Sequence, residues 1–412
     1  MTLTEREREI VDLLRAEPLL DAAAIADRTG STKAAVSVHL SNLTKKGAIL
    51  GRGYVVRPEA QSVVVVGGAN MDIKAHSTHA IELRTSNPGA ALSTPGGVGR
   101  NIAENLARLG SPTHLVAPVG RDAFGEEIIA ATRAAGVVVD HMIASDDATG
   151  TYLAVLDATG ELVVAVSNMR ATDRLTVREL MRCRDLLSRA DLLVLDGNIP
   201  EAPAAWLLDF AAAVNVPVVM DPVSVAKARP LAHMLSPQRP LLALTPNLDE
   251  LSAIVGEPVP QARADIARAA RRLHELGVQN VWVRRGVRGS LLSSLDDAGR
   301  ATVVTLDAPP VTPVDVTGAG DSMTGAFVHA LMRGDSPVDA ARFGQMAAAL
   351  TVASPETVRP DLTPRLVDAE LRRSLRGATT PRGATTPRGA TTRRGTTTRR
   401  ATSTRPQSKE NR

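Results

Sequence analysis

The sequence predicts an α/β protein with a mostly parallel central sheet and a small β flap, preceded by a small helical domain and followed by a tail with no core. Three observations predict it. Between residues 61 and 375, apolar runs of strand length alternate with helical segments, as in sheets buried on both faces. Ahead of them, three short amphipathic helices fit into residues 1–58. From Arg376 onward the chain repeats RGATTP-like hexads and lacks any bulky apolar residue. The 412 residues are too many for one ordinary domain. The boundaries read as 1–58, 61–375 and 376–412.

The elements follow in order. Thr4 and Glu7 form a capping box, and Ile10, Leu13 and Leu14 follow at helical spacing until Glu17-Pro18 ends the helix. A second helix covers Asp21–Arg28. Gly30 turns the chain, Ser31 caps a third helix to about Lys46, and Gly47 stops it. Ala48–Val56 alternates around Gly51 and Gly53 like a short hairpin or wing. Then come the strand Ser62–Gly68, the helix Gly99–Leu109, the strand His114–Val119, the helix Asp122–Ala135 and the strand Val137–Ile143. Tyr152–Leu156 and Leu162–Val166 flank Asp157-Ala158-Thr159-Gly160 as a hairpin, a flap outside the main sheet. Strands Leu192–Asp196, Val216–Asp221, Leu241–Thr245 and Val281–Arg285 follow, and a helix spans Met323–Arg333. The tail, 376–412, cannot bury a core and is expected to be disordered.

Composition excludes several functions. Only 2% of residues are aromatic, which argues against a base-stacking surface. The single cysteine, Cys183, excludes a disulfide framework and thiolate metal sites. No apolar run reaches membrane-spanning length and the charged start shows no signal peptide, so a cytoplasmic protein without membrane contact is expected. The net charge of +4 is unevenly spread: the tail carries nine Arg and one Lys against one Glu. The central body is therefore acidic, and the high isoelectric point belongs to the tail. Between Arg28 and Arg57 there are six basic residues and no acidic one. Ser31, Thr32, Lys33, Ser37, His39 and Asn42 sit on polar positions of the third helix, where they suit base edges and phosphates of duplex DNA. A module that only packs or dimerises is the alternative.

The strongest chemical signal is Asp315-Val316-Thr317-Gly318-Ala319-Gly320-Asp321-Ser322. The glycines allow close backbone approach, and free N–H groups at a helix start favour an anion. A carboxylate at that mouth, Asp321, suits a general base and should stay ionised at neutral pH. The alternative is a simple helix cap. Asn70 and Asp72 follow the first strand, where open α/β sheets bind ligands. Gly96-Gly97-Val98-Gly99-Arg100-Asn101 opens a helix without forming a dinucleotide fingerprint. Asn247 and Glu250 could orient a magnesium shell or merely cap a helix. No Gly-x-x-x-x-Gly-Lys loop is present, which excludes a P-loop kinase.

These four sites, in this order, resemble the ribokinase or PfkB-type sugar kinases over essentially all of 61–370, and residues 1–58 resemble a winged helix-turn-helix. The resemblance implies a ribokinase-like three-layer fold with the flap as lid, ATP and Mg2+ as cofactors, and a homodimer. It implies Asn70, Asp72, Gly96, Gly97 and Asn101 for the sugar, and Asn247 and Glu250 for Mg-ATP. Gly318, Ala319 and Gly320 would form the anion hole, with Asp321 the base. Arg285, Gly286 and Gly289 would contact nucleotide phosphates, and Asp315 and Thr317 fit the family's monovalent-cation loop, for potassium. Val98 stands where ribokinases carry Lys, which argues against simple ribose; Arg100 is the candidate to restore that charge. Asn87-Pro88-Gly89, Thr94–Ala103, Thr151-Tyr152-Leu153, Ser167-Asn168-Met169, Asp196-Gly197-Asn198-Ile199 and Asp221-Pro222-Val223-Ser224 are similar to the pseudouridine kinase subgroup. That implies 5′-phosphorylation of a C-nucleoside. Other nucleosides or sugars, and a transcriptional regulator using the kinase-like domain as a ligand sensor, are the competing readings.

Overall fold

A computed structural model of the chain describes residues 3–17, 19–49 and 61–379. The N-terminal helices are Glu5–Ala16, Ala22–Arg28 and Lys33–Lys45. Thr4 and Glu7 do form a capping box. The third helix is capped one residue later than expected: the Thr32 hydroxyl, not Ser31, accepts the Ala35 N–H. Ile10, Leu14, Ile25, Val36 and Leu43 are wholly buried and form their own core. Most of the expected wing, 50–56, lies outside the described residues, as does the tail from 380 on.

The kinase-like body is built on an eight-stranded sheet. In chain order its strands begin with β1 (Val63–Val66). The flap contributes β2 (Asn70–Ser77) and β3 (Gly89–Gly96), and the main sheet continues with β4 (Thr113–Val116). A side pair follows, β5 (Pro118–Gly120) and β6 (Ile143–Ser145), and then the flap strands β7 (Gly150–Leu156) and β8 (Leu162–Asn168). The main sheet is completed by β9 (Leu192–Asp196), β10 (Val218–Asp221), β11 (Leu241–Leu244), β12 (Val278–Arg284), β13 (Ser290–Leu295) and β14 (Ala301–Leu306).

The spatial order is β14-β13-β12-β11-β10-β9-β1-β4. From β4 through β12 every pair is parallel, while β13 and β14 add an antiparallel edge. Alternation along each strand divides the core between two faces. Val64 and Val66 join one cluster and Val63 and Val65 the other. The second cluster holds Trp282, Phe327 and Phe343, with the Trp282 and Phe327 rings 4.8 Å apart. Helices therefore cover both faces, as the apolar runs required.

Three further expectations change. Val137–Ile143 is not one strand: Val138 makes a lone bridge to His114, and pairing resumes only at β6. The flap is a four-stranded sheet, β3-β2-β7-β8, rather than a hairpin alone. Its pairing of β2 with β7 sets Asn70 opposite Gly150 and Asp72 opposite Tyr152. The last helix, Pro364–Thr379, runs beyond residue 375, where composition drew the tail boundary.

Candidate active site

β1 has β4 on one side and β9 on the other, so the chain reverses its winding there, and the carboxyl ends at such a point form a crevice. Gly67 and Gly68 leave β1 at that edge. The buried Asp196, ending β9, accepts the N–H groups of Gly68 (2.8 Å), Gly99 (2.7 Å) and Asn198 (2.9 Å). One carboxylate thus ties three loops of the crevice together. No Cβ fits at Gly67, because the Asp196 carboxylate occupies that space.

A cavity of about 330 Å³ opens there, at the small end for small-molecule sites. Its walls include Asn70, Asp72, Gly97, Asn101, Thr317, Gly318 and Asp321 from the sequence-derived set. Asn70 Nδ2 donates to Asp72 Oδ1 at 2.6 Å, and burial pushes the Asp72 carboxyl up. Gly96 lies behind Asp72, whose carboxylate fills the place of a side chain. Gly97 has φ 99° and caps the helix Val98–Arg108; a Cβ there would meet Gly68 O at 2.5 Å.

Arg100 does not restore the missing lysine charge to the cavity. Its guanidinium is buried, donating to Pro95 O (2.9 Å), Asn101 Oδ1 (3.0 Å) and the Glu104 carboxylate. It instead orients an amide. With its Oδ1 taken by Arg100, Asn101 turns its Nδ2 to Asp321 Oδ2 at 2.8 Å.

The helix carrying Asp321 spans Ala319–Met332, four residues earlier than the apolar pattern suggested, with Gly318 (φ 76°) as N-cap. Asp321 therefore sits in the first turn and is not the cap. Ala319 N–H turns back to Val316 O at 3.3 Å. The N–H groups of Gly320 and Asp321 come next, where a helix has no internal acceptor for them. The Asp321 carboxyl faces the cavity but is otherwise enclosed. Burial pushes its pKa up to about 7, the Asn101 bond opposes this, and Asp221 adds to it. The expected ionised carboxylate is thus half-protonated near neutrality, because desolvation outweighs the helix terminus.

Asn247 and Glu250 form a capping box on the helix Leu248–Val255. Glu250 is buried, with its pKa raised by that burial, and lies 3.4 Å from Arg284 Nη2. Arg284, the last residue of β12, also reaches Asp221 Oδ2 at 3.0 Å, and its Nη1 lies 2.8 Å from where a Gly320 Cβ would stand. It links the Asn247–Glu250 capping box to the turn at Gly318–Asp321, and the motifs did not single it out. Asp221 further accepts the hydroxyls of Thr324 (2.8 Å) and Thr245 (3.2 Å).

Arg285, Gly286 and Gly289 do not line this cavity. Arg285 Nη2 donates to Arg288 O, and Gly289 (φ 75°) presses on the Leu306–Ala308 backbone. Asp307 and Ala308 line a second cleft of about 860 Å³, together with Gln345 and Met346. Asp315 is held by Thr317 N–H at 2.8 Å and by Lys74 Nζ at 3.1 Å. The cavity wall also holds Asp173 and Lys227, which sequence reasoning missed, and Tyr152, Asn198 and Val223, which it quoted for the subgroup resemblance without giving them a site role. Val223 carries φ 69°, rare for a β-branched residue and the kind of strain found at ligand sites.

On the third N-terminal helix, Thr32, Lys33 and Ser37 are exposed, whereas Ser31, His39 and Asn42 are half-buried. Ser41 and Val38 share the outward ridge. Arg28 is paired with Glu17 at 2.6 Å and Lys46 with Glu7 at 2.7 Å, so two of the six basic residues are neutralised.

Residues 60–364 match the pfkB family of carbohydrate kinases, and residues 3–49 match a winged helix-turn-helix DNA-binding family. The chain is 35% identical over 362 residues to an uncharacterized sugar kinase, YeiI, of Escherichia coli (strain K12), covering 88% of this chain and 97% of that protein. It is 34% identical over 307 residues to the pseudouridine kinase of the same strain, covering 74% and 95%. The structure of Arabidopsis thaliana ribokinase complexed with ribose and ATP matches with a TM-score of 0.64 at 26% identity, over 76% of this chain and 98% of that one. The chain belongs to the pfkB family of carbohydrate kinases, phosphotransferases acting on sugar or nucleoside hydroxyls, and carries an N-terminal winged helix-turn-helix segment.

Proposed function

We propose that this protein is an ATP-dependent nucleoside kinase that phosphorylates the 5′-hydroxyl of pseudouridine. The observation that carries the nucleoside reading is the composition of the cavity wall. Besides Asn70, Asp72 and Asn101 it includes Asn198 and the Lys227–Asp173 ion pair (3.5 Å), polar groups available to a base beside the sugar. The pseudouridine-like sequence stretches, and the likeness to a pseudouridine kinase, favour that base.

In this mechanism Asn70 and Asp72 hold ribose hydroxyls. Asp321 accepts the 5′-hydroxyl proton as the phosphoryl group moves in line. The helix-start N–H groups after Gly318 stabilise its developing charge. Asn101, fixed by Arg100, holds the Asp321 carboxyl in place. We assign the nucleotide to the Gly289–Asp307 side, with Arg285 and Gly286 near its phosphates. Mg2+ keeps several waters and needs only one or two carboxylates. Glu250, with Asn247 beside it, fits that demand; the ion would neutralise charge on the phosphates. Potassium at Asp315 and Thr317 fits less well, because both Asp315 oxygens are engaged by Thr317 and Lys74.

Two further assignments belong to this reading. The N-terminal segment binds duplex DNA through the ridge of Lys33, Ser37 and Ser41. A homodimer in the cytoplasm covers the lid edge, where Leu162, Val164 and Val166 of β8 are exposed. The test is a steady-state comparison of pseudouridine, uridine, inosine, ribose and fructose with Mg-ATP. The highest kcat/KM is expected for pseudouridine. A higher value for ribose or inosine would overturn the substrate assignment.

A further inference from the structure

The lid strand β2 carries one inward group that the mechanism above does not use. Side chains alternate along a strand, so Asn70, Asp72 and Lys74 share one face. Asn70 and Asp72 line the cavity. Lys74 extends the row beyond it, and its Nζ reaches Asp315 Oδ2 at 3.1 Å, 241 residues along the chain. The other Asp315 oxygen accepts the Thr317 N–H at 2.8 Å, and Gly318, the left-handed N-cap of the catalytic helix, follows directly. Burial alone would push the Asp315 carboxyl up; the Thr317 and Lys74 contacts bring it below the usual carboxylate range.

A single carboxylate therefore joins the lid to the turn that forms the anion hole. We propose that Lys74 is a positioning residue whose ammonium, delivered by the lid, fixes the Asp315–Gly320 turn in its working shape and takes the place of a free monovalent cation there. The proposal rests on the kinase reading. It makes the hole dependent on lid position: the turn has its cation only when β2 is docked. Both side chains are partly exposed, at 40% and 28%, so the pair contributes little to global stability as it stands. Exclusion of water under the lid strengthens it when substrate is bound.

The experiment uses the full chain and its Lys74→Met and Lys74→Arg variants. Phosphoryl transfer to nucleoside is measured in potassium chloride and in tetramethylammonium chloride at equal ionic strength. The wild type is expected to turn over equally in both salts. Lys74→Met should lose up to about 10²-fold in kcat, the size of effect that a small misplacement produces. Its KM for ATP and its melting temperature should stay near wild type, and potassium or ammonium should restore part of the loss. Lys74→Arg should keep most of the rate. Wild-type turnover that rises several-fold with potassium would overturn the proposal. So would a Lys74→Met variant with wild-type kcat in both salts, or one whose loss is accompanied by a lower melting temperature and not restored by either ion. A wild type inactive in both salts would instead overturn the kinase reading itself.

Discussion

Asp321 meets two opposing influences, and their sizes decide its state. A helix start favours a carboxylate by about 0.3–1 kcal/mol. Burial acts the other way and can shift a carboxyl by about 3–5 pKa units. Burial wins, leaving a pKa of about 7. In the unliganded enzyme the base form therefore grows as pH rises, so kcat/KM should fall on the acid side with an apparent pKa near 7. A flat profile down to pH 5 would remove Asp321 as the titrating group. The same shift predicts stability. The folded pKa lies above the unfolded value of 3.8, so this group's contribution to stability is full below 3.8 and is lost as pH rises to about 7. Arg100 offers a second test at this scale. Arg100→Met leaves Glu104 buried with only Arg108 as partner and frees the Asn101 amide to turn. Breaking a buried pair in this way is strongly destabilising, by about 3–5 kcal/mol. Denaturant titration should register that loss, together with a lower kcat in whatever fraction stays folded. The sequence suggested Arg100 as a replacement for the lysine charge absent at Val98; only packing reveals that its charge is spent on Glu104.

Elements were legible where both faces are buried. β1, β9 and β11 read as apolar runs because a parallel sheet allows no polar face. β2 and β3 were not legible. Asn70–Ser77 carries Asn, Asp, Lys and His, and Gly89–Gly96 carries Gly, Ser and Pro, since one face of this sheet meets solvent or the cavity. β13 and β14 were missed because serines and threonines interrupt them: β14 is the partly exposed edge strand, and in β13 the buried Ser290 and Ser293 hydroxyls are hydrogen-bonded to Gln345 and His274. Val137–Ile143 was overread, because its apolar ends enclose Asp140 and His141, where the chain turns. The helix Ala319–Met332 begins four residues earlier than expected because Gly318 permits a left-handed cap that no apolar pattern marks. That glycine gives the element-scale prediction. In Gly318→Ala the new Cβ would stand against the Thr357 carbonyl at φ 76°. The left-handed backbone alone costs about 1–2 kcal/mol. Melting temperature and kcat should both fall; an active, equally stable variant would show that the turn is not held this tightly.

At the scale of the whole molecule, the site is drawn from chain segments up to about 250 residues apart, and the motifs marked roughly half of it. Asn70, Asp72, Gly97, Asn101, Gly318 and Asp321 were marked because glycines and short polar groups cluster there. Arg284 was not marked, and Asp221 and Asp196 were quoted only for the subgroup resemblance and given no role in the site, although a signal was present: each is a charged residue ending a buried apolar strand. The N-terminal segment carries its own prediction. Lys33 and Lys45 stay exposed and unpaired among the described ion pairs, while Arg28 and Lys46 are neutralised. DNA binding by the chain truncated after Thr379 should fall linearly in log K against log salt, and Lys33→Ala should lower the slope by about 1. An unchanged slope would exclude Lys33 from phosphate contact. The central claim, that this fold transfers a phosphoryl group with Asp321 as base, is tested most directly by Asp321→Asn, with kcat, nucleoside affinity and melting temperature measured on one preparation at pH 8. The account predicts that kcat falls by roughly 10²–10⁴-fold, that the nucleoside still binds, and that the variant melts no lower than wild type because a buried ionised group has been removed. A folded variant with near wild-type kcat would contradict it.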